Sequence, residues 1–215
     1  MNKLLDWILD LLYPPRCAFC RRFLTEKETG ICRFCRIKYE NRNIQRELKN
    51  ISKCVAPFSY EGEVRESILR YKFHGVTAYG PAYAEFIAKA IDESGISCDS
   101  MTWVPLSRLR LRKRGYDQAQ ILAEETAKRL GLPCERLLVK RVNTKPQSGL
   151  SGAEARAKNA KGVYACVEPE KVKGRKILVI DDIVTTGATL SECALTLKHA
   201  GCAEVFAAAA SRQQA

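Results

Sequence analysis

KILVIDDIVTTGATL (176–190) changes character twice in a short run of chain. After Lys176 the stretch ILVI is continuously apolar, the pattern of a strand buried on both faces in the middle of a parallel sheet. Asp181 and Asp182 stand where that strand ends. Paired carboxylates there are costly unless they hold something, such as sugar hydroxyls or a hydrated cation. Thr185, Thr186, Gly187, Ala188 and Thr189 follow and lead into a helix. Their hydroxyls, with the first backbone N–H groups of that helix, make a natural cradle for a phosphate dianion. Gly187 lets the backbone curl around the phosphate without a Cβ clash. The loop is not a Walker motif, because GxxxxGK[ST] does not occur in the chain.

On either side of this stretch the hydrophobic period alternates. CVAPFSY (54–60) reads as a strand, Val64, Ile68, Leu69 and Phe73 recur at helical spacing, and 81–94 predicts a second helix. MTWVP (101–105) is a short strand, and Asp117–Leu130 a helix closed by Gly131. LLVKRV (137–142), GVYACV (162–167) and EVFAAAA (204–210) predict further strands, with a helix at 189–200. Strands alternating with helices predict an α/β fold with a doubly wound, mostly parallel sheet over residues 54–215. Such sheets bind ligands at the carboxyl ends of their strands.

Residues 1–53 read as a separate N-terminal helix and cysteine module. Cys17-x2-Cys20 and Cys32-x2-Cys35 are two knuckles, each able to place two thiolates on one side of a tight turn. Together they complete the tetrahedral shell that zinc prefers, and four sulfurs leave no open position, so the metal is structural. A redox dithiol needs only one CxxC, normally after a strand, and neither knuckle follows a strand-like run. Arg16, Arg21, Arg22, Arg33, Arg36 and Lys38 crowd around the ligands and favour the thiolates. Phe19, Phe23 and Phe34 read first as the core of this small module and second as base-stacking faces. The other six cysteines, Cys54, Cys98, Cys134, Cys166, Cys193 and Cys202, read as small buried hydrophobes.

The chain has 215 residues, 46% of them hydrophobic, and a net charge of +12, which points to acidic partners: nucleic acid, phosphorylated metabolites or an anionic membrane surface. The first residues, MNKLLDWILDLLYPP, are interrupted by Asp6 and Asp10 and lack a small-residue cleavage site. They predict a short amphipathic helix packed on the rest of the protein, and reduced cysteines in a cytoplasmic protein. RLRLRKRGYDQ (108–118) carries Arg108, Arg110, Arg112, Lys113 and Arg114 before its first acid. That density suits pyrophosphate or a DNA backbone, the blander reading being a solvated loop start. Lys72, Arg110, Arg112, Lys113 and Arg114 are the candidate nucleic-acid contacts, with Tyr71, Phe73 and Tyr116 as stacking faces. His74 reads as a hydrogen-bonded structural group. KRVNTKPQSGLSG (140–152), polar and rich in turn formers, is expected to be a mobile lid.

ILVIDDIVTTGATL resembles the 5-phosphoribosyl-1-pyrophosphate (PRPP) loop of type I phosphoribosyltransferases. The resemblance implies that Asp181 and Asp182 hold ribose hydroxyls, that Thr185, Thr186, Gly187, Ala188 and Thr189 hold the 5′-phosphate, and that Mg²⁺ arrives with the pyrophosphate. VPL (104–106), ending in Ser107-Arg108, resembles the lead into the pyrophosphate-binding loop. Further segments resemble the ComF (ComFC) competence family: Tyr71-Lys72-Phe73-His74-Gly75, then Arg112 to Gln118, then Arg156 and Lys158-Asn159 before Gly162, with the four-cysteine module in front. Tyr116-Asp117 stands where that family more often has Phe-Asn, and Val163 where it often has Ala-Phe. Membership implies a role in natural transformation, handling incoming single-stranded DNA on the cytoplasmic side, peripheral to the inner face of the membrane. Its partners would be PRPP or a related phosphorylated ribose, single-stranded DNA, and a DNA-uptake helicase or membrane channel. The alternative is an active phosphoribosyltransferase with an unidentified acceptor. No catalytic residue is assigned on either reading.

Overall fold

A computed structural model describes residues 14–39, 44–142 and 162–213. The strand that opens the deciding stretch, β7 (Lys176–Val184), runs past the apolar residues and through both aspartates. It lies inside a six-stranded sheet of order β1-β2-β8-β7-β4, with a short β3 also on β8. Here β1 is Ile44–Leu48, β2 Ile51–Ala56, β3 Phe58–Ser59, β4 Ser100–Trp103 and β8 Glu204–Arg212. β7 pairs in parallel with β4 on one side and β8 on the other. Only β1 runs antiparallel, on β2. Pro57 divides the predicted strand 54–60 into β2 and β3, since proline has no N–H for the ladder.

Period-two alternation splits β7 and β8 between two cores. Leu178, Ile180, Phe206 and Ala208 face a layer made by α2 (Gly62–Phe73), α3 (Gly80–Glu93) and α5 (Gln118–Leu130). Ile68, Tyr83, Ile87 and Leu122 fill that layer. On the other face Ile177, Val179, Val205 and Ala207 meet Leu190, Cys193 and Leu197 of α6 (Ala188–His199). Each buried Val, Leu, Ile or Phe among them contributes about 1.5–3 kcal/mol by leaving water, and the alanines less. Helices on both faces of a mostly parallel sheet are the doubly wound α/β fold that the alternating periods predict.

Two stretches depart from a single sheet. LLVKRV and GVYACV yield β5 (Leu138–Lys140) and β6 (Tyr164–Cys166), which pair antiparallel as a sheet of their own. This hairpin packs over the α6 face, where Leu137, Leu138, Val163 and Tyr164 are buried. At the other end of the chain, β1 lies within the segment 1–53 yet belongs to the main sheet. The cysteine module also shares the larger core: Phe19 stacks edge-on against Tyr39 at 4.7 Å and Phe58 at 5.1 Å. The expected N-terminal helix in 1–15 and the expected lid at 140–152 fall mostly on residues 1–13 and 143–152, outside the described residues. No helix among the described residues is long and apolar enough to cross a membrane.

Candidate ligand site and zinc module

β7 delivers Asp181 and Asp182 to the carboxyl edge of the sheet on opposite faces, as strand geometry requires. Asp182 is buried and firmly held. Lys72, from the last turn of α2, places Nζ 2.8 Å from Oδ2 and donates to Oδ1 at 3.0 Å. Gln118, the first residue of α5, donates from Nε2 to Oδ2 at 3.0 Å. Burial alone would raise the Asp182 pKa, but the Lys72 ammonium outweighs it and holds the carboxyl below its ordinary range. Asp181 accepts the Asp182 N–H at 2.8 Å. Its carboxyl is pushed well above the ordinary range, first by burial and then by the charge of Asp182.

The next residues turn into α6. Gly187 takes a left-handed φ of 79° at the N-cap, and a Cβ there would collide with the Leu48 side chain. The glycine is therefore required by the backbone and by the approach of β1, as well as by any phosphate. Thr185, Thr186 and Thr189 are half-buried around it. Helix geometry leaves the first N–H groups of α6 without intrahelical acceptors; one of them, that of Ala188, donates to Thr186 Oγ1 at 3.4 Å.

Two of the segments read as family signatures, 71–75 and 112–118, converge on this edge, while Arg156 and Lys158-Asn159 lie outside the described residues. Tyr71 Oη donates to the Gln118 carbonyl at 2.8 Å, and Tyr116 Oη to the Tyr71 carbonyl at 2.6 Å. Asp117 caps α5 by accepting the Ala119 N–H, and also accepts the N–H of Leu106 at 3.0 Å. That bond ties the chain leaving β4 to the start of α5. Ser107 is buried and caps α4 (Arg108–Arg114), accepting the Arg110 N–H at 3.4 Å. The predicted cationic stretch is therefore a short helix closed by Gly115 at φ 82°, and none of its residues is buried. Arg108, Arg112 and Lys113 are exposed together with Leu109 and Leu111. Arg114 instead turns inward, bonding Gln118 and lying over the Phe73 ring at 5.2 Å.

Lys72 and Arg114, read from sequence as nucleic-acid contacts, thus belong to the network around Asp182, while Arg112 and Lys113 do not. Gln118 was not singled out by sequence reasoning; its one signal was a place in the 112–118 segment. His74 is exposed at the end of α2.

In the module, the four Sγ atoms of Cys17, Cys20, Cys32 and Cys35 all lie within 4.8 Å of one another. Tetrahedral zinc with bonds of about 2.3 Å needs sulfurs about 3.8 Å apart, and Cys20 and Cys32 stand at 3.7 Å. Backbone N–H groups support the sulfurs: Cys32 donates to Cys17 at 3.3 Å, and Cys35 to Cys32 at 3.4 Å. The donor set fits structural zinc. Glu28 ties the loop between the knuckles, accepting the Arg33 and Thr25 N–H groups and pairing with Arg22. Those bonds, the Arg33 N–H foremost, hold its carboxyl at about 2. Phe19 goes to the core, as first read, but Phe23 and Phe34 are exposed, with Arg16 and Arg22 over their rings at 4.1 and 4.8 Å. Of the other cysteines, Cys54, Cys193 and Cys202 are buried, whereas Cys98, Cys134 and Cys166 are partly exposed.

These two features coincide with known families. The family described as phosphoribosyl transferase domain matches residues 117–215, and the one described as double zinc ribbon domain matches 8–61. Competence protein F of Haemophilus influenzae is 36% identical over 47% of this chain and 45% of its own length. Competence protein ComFC of Bacillus subtilis is 26% identical over 86% of this chain and 72% of its own. The chain is a homologue of the ComF competence proteins. A further relative of this ComF homologue is the DNA utilization protein YhgH of Escherichia coli, 31% identical over 50% of this chain and 46% of its own length. The matches thus span a little under half of the Haemophilus and Escherichia proteins. Among solved structures, adenine phosphoribosyltransferase from Thermoanaerobacter pseudethanolicus is 15% identical, covering 82% of this chain and 83% of that one, with a TM-score of 0.40.

Proposed function

We propose that this ComF homologue handles DNA during uptake and carries a live binding site for a phosphorylated ribose, PRPP with its Mg²⁺, at the edge formed by Asp181–Thr189. The observation that carries the reading is the arrangement around Asp182. Lys72 and Gln118 come from separate parts of the chain to hold one buried carboxylate, and Arg114 bonds Gln118 behind it. Directly after it come the threonines and glycine that open α6. Such pre-organisation is what a ligand site needs. Asp181 and Asp182 would take the ribose hydroxyls, and the 185–189 turn the 5′-phosphate. Ser107 and Arg108, at the head of α4, lie on the chain segment leading from β4. The DNA half of the reading rests on the names of the relatives, on the charge of +12 and on exposed Arg112 and Lys113.

The test is calorimetric titration of the zinc-loaded protein with PRPP and Mg²⁺, with and without single-stranded DNA, alongside Asp181→Ala/Asp182→Ala. Binding by the wild type that the double variant loses is expected. No binding by the wild type at millimolar PRPP would refute the ligand site, and the protein would then act through DNA or protein contacts alone.

A further inference from the structure

A module as small as residues 14–39 has few apolar side chains, and its phenylalanines would stabilise it most by turning inward. Phe19 does so, yet Phe23 is 55% and Phe34 69% exposed. Ile37, one turn beyond Phe34 on α1 (Arg33–Tyr39), is 61% exposed and shares its face by the i,i+3 rule. A cation over an exposed ring returns less than burial of that ring would. The module therefore keeps two rings at its surface at a cost to its own stability, the pattern of a contact surface.

Both rings are held in place. Phe23 forms an antiparallel bridge with Arg16, and the Leu24 N–H donates to the Pro15 carbonyl at 2.9 Å. That pairing sets the Arg16 guanidinium 4.1 Å from the centre of the Phe23 ring. Arg22 pairs with Glu28, whose carboxylate also accepts the Arg33 N–H at the start of α1. The Arg22 guanidinium thereby stands 4.8 Å from the centre of the Phe34 ring. Arg22 follows the first knuckle and Phe34 lies inside the second, so this pair exists only when both knuckles are folded together.

Charge identifies the occupant. Residues 14–39 carry seven Lys and Arg against two Glu, a net of +5. Arg16, Arg21 and Arg33 are exposed and take part in none of the ion pairs among the described residues. A polyanion with flat apolar faces complements this surface: phosphates meet the arginines, and bases stack on phenyl rings or guanidinium planes. A duplex keeps those faces inside its own stack, so the fitting partner is single-stranded. A lipid surface fits worse, because the rings could enter hydrocarbon only by shedding the guanidiniums over them or carrying them in.

We infer that Phe23 and Phe34, with Arg16 and Arg22 over their rings, form a base-stacking platform for single-stranded nucleic acid on the zinc module. The platform rests on the DNA half of the proposed function for its ligand, and on the module's geometry for its residues. An incoming base takes the place of the guanidinium over the ring, and the released cation is then free for the strand's phosphates.

The test is fluorescence anisotropy on the full zinc-loaded chain with three probes: a mixed-sequence DNA single strand, an abasic strand of equal length, and the corresponding duplex. Phe23→Leu/Phe34→Leu keeps the apolar bulk and every cation but removes both rings. The expected result is a loss of about tenfold or more for the single strand, with the abasic strand and duplex changed less than about twofold. The dependence of log K on log salt should stay the same, since no phosphate contact is removed. Phe23→Trp/Phe34→Trp keeps the ring faces and should bind the single strand at least as well as the wild type. Zinc content and protease resistance check the fold; should the double Leu variant lose zinc, Phe34→Leu alone carries the same comparison. An equal loss on the base-bearing and abasic strands, or a Trp variant as weak as the Leu variant, overturns the inference. So does a Leu variant that keeps its single-strand affinity, including one that instead loses binding to phosphatidylglycerol vesicles; the DNA reading then stands with its contacts elsewhere. A wild type that binds no single strand at low salt overturns both.

Discussion

Strand geometry sends Asp181 and Asp182 to opposite faces of β7, and their surroundings then treat the same chemical group in opposite ways. Asp182 has its pKa lowered by Lys72 against the effect of burial. Its stabilising contribution is present above the unfolded carboxylate pKa of about 4 and is lost as pH falls from there toward the folded value. Asp181 has its pKa raised by burial and by Asp182, so it destabilises the ligand-free fold at neutral pH and ceases to do so as pH falls. Accordingly, Asp181→Asn should stabilise the ligand-free protein at pH 7, by on the order of 1 kcal/mol or more, with the gain shrinking toward pH 4. Asp182→Asn should cost about 2–3 kcal/mol by weakening the bonds to Lys72 and Gln118. Urea unfolding at pH 7 and pH 4.5 checks both. Equal destabilisation by the two substitutions would sink this account of the pair. A carboxylate kept at a stability cost is the pattern of a functional residue.

At the scale of elements, α2 is the link between the zinc module and the ligand edge. Near its start Glu63 accepts from Lys38 Nζ at 2.7 Å and Tyr39 Oη at 3.0 Å, both on α1 (Arg33–Tyr39), which carries Cys35. In its last turns Arg70 donates to the Ala18 carbonyl at 2.9 Å, inside the first knuckle, and Lys72 reaches Asp182. Folding of a module this small draws on zinc for about 10 kcal/mol. Cys32→Ser, or chelation, should therefore release the metal, expose residues 14–39 to protease and lower the melting temperature. It should also weaken PRPP binding severalfold, because α2 loses its anchors. A soluble, metal-free Cys32→Ser protein with wild-type protease resistance would falsify the structural role of zinc. Protease sensitivity of 14–39 with unchanged PRPP affinity would instead show that α2 does not transmit it.

For the molecule as a whole, the charge of +12 is unevenly used. Some cations are committed inside the fold, as Lys72 and Arg114 are, while Arg112 and Lys113 stand on a helix with no buried residue. The exposed Phe23 and Phe34, each under a guanidinium, add aromatic faces on the zinc module. Reversing Arg112 and Lys113 to Glu should weaken single-stranded DNA binding and flatten the dependence of log K on log salt by roughly 1.4, about 0.7 for each phosphate no longer neutralised. Fluorescence anisotropy from low to moderate salt measures both. Unchanged affinity and slope remove α4 from the DNA surface. Arg114 is the wrong residue for this test, because its loss also disturbs Gln118 and thereby Asp182.

The features legible in the sequence are those whose cause is local. The run ILVI, the glycine and threonines before α6, the cap and stop of α5 at Asp117 and Gly131, and the spacing of Cys17, Cys20, Cys32 and Cys35 each depend on neighbours a few residues away. Backbone propensity, side-chain period and ligand spacing act at that range, so the doubly wound sheet and the donor set for zinc could be read directly. The tertiary structure alone decided which residues complete the site. Lys72 and Gln118 meet Asp182 across sequence separations of 110 and 64 residues. β5 and β6 left the main sheet to pair with each other, and Phe19 went inside while Phe23 and Phe34 stayed out. Those outcomes depend on which surfaces pack together once the sheet exists, and packing is a property of distant residues brought close, on which a local pattern is silent.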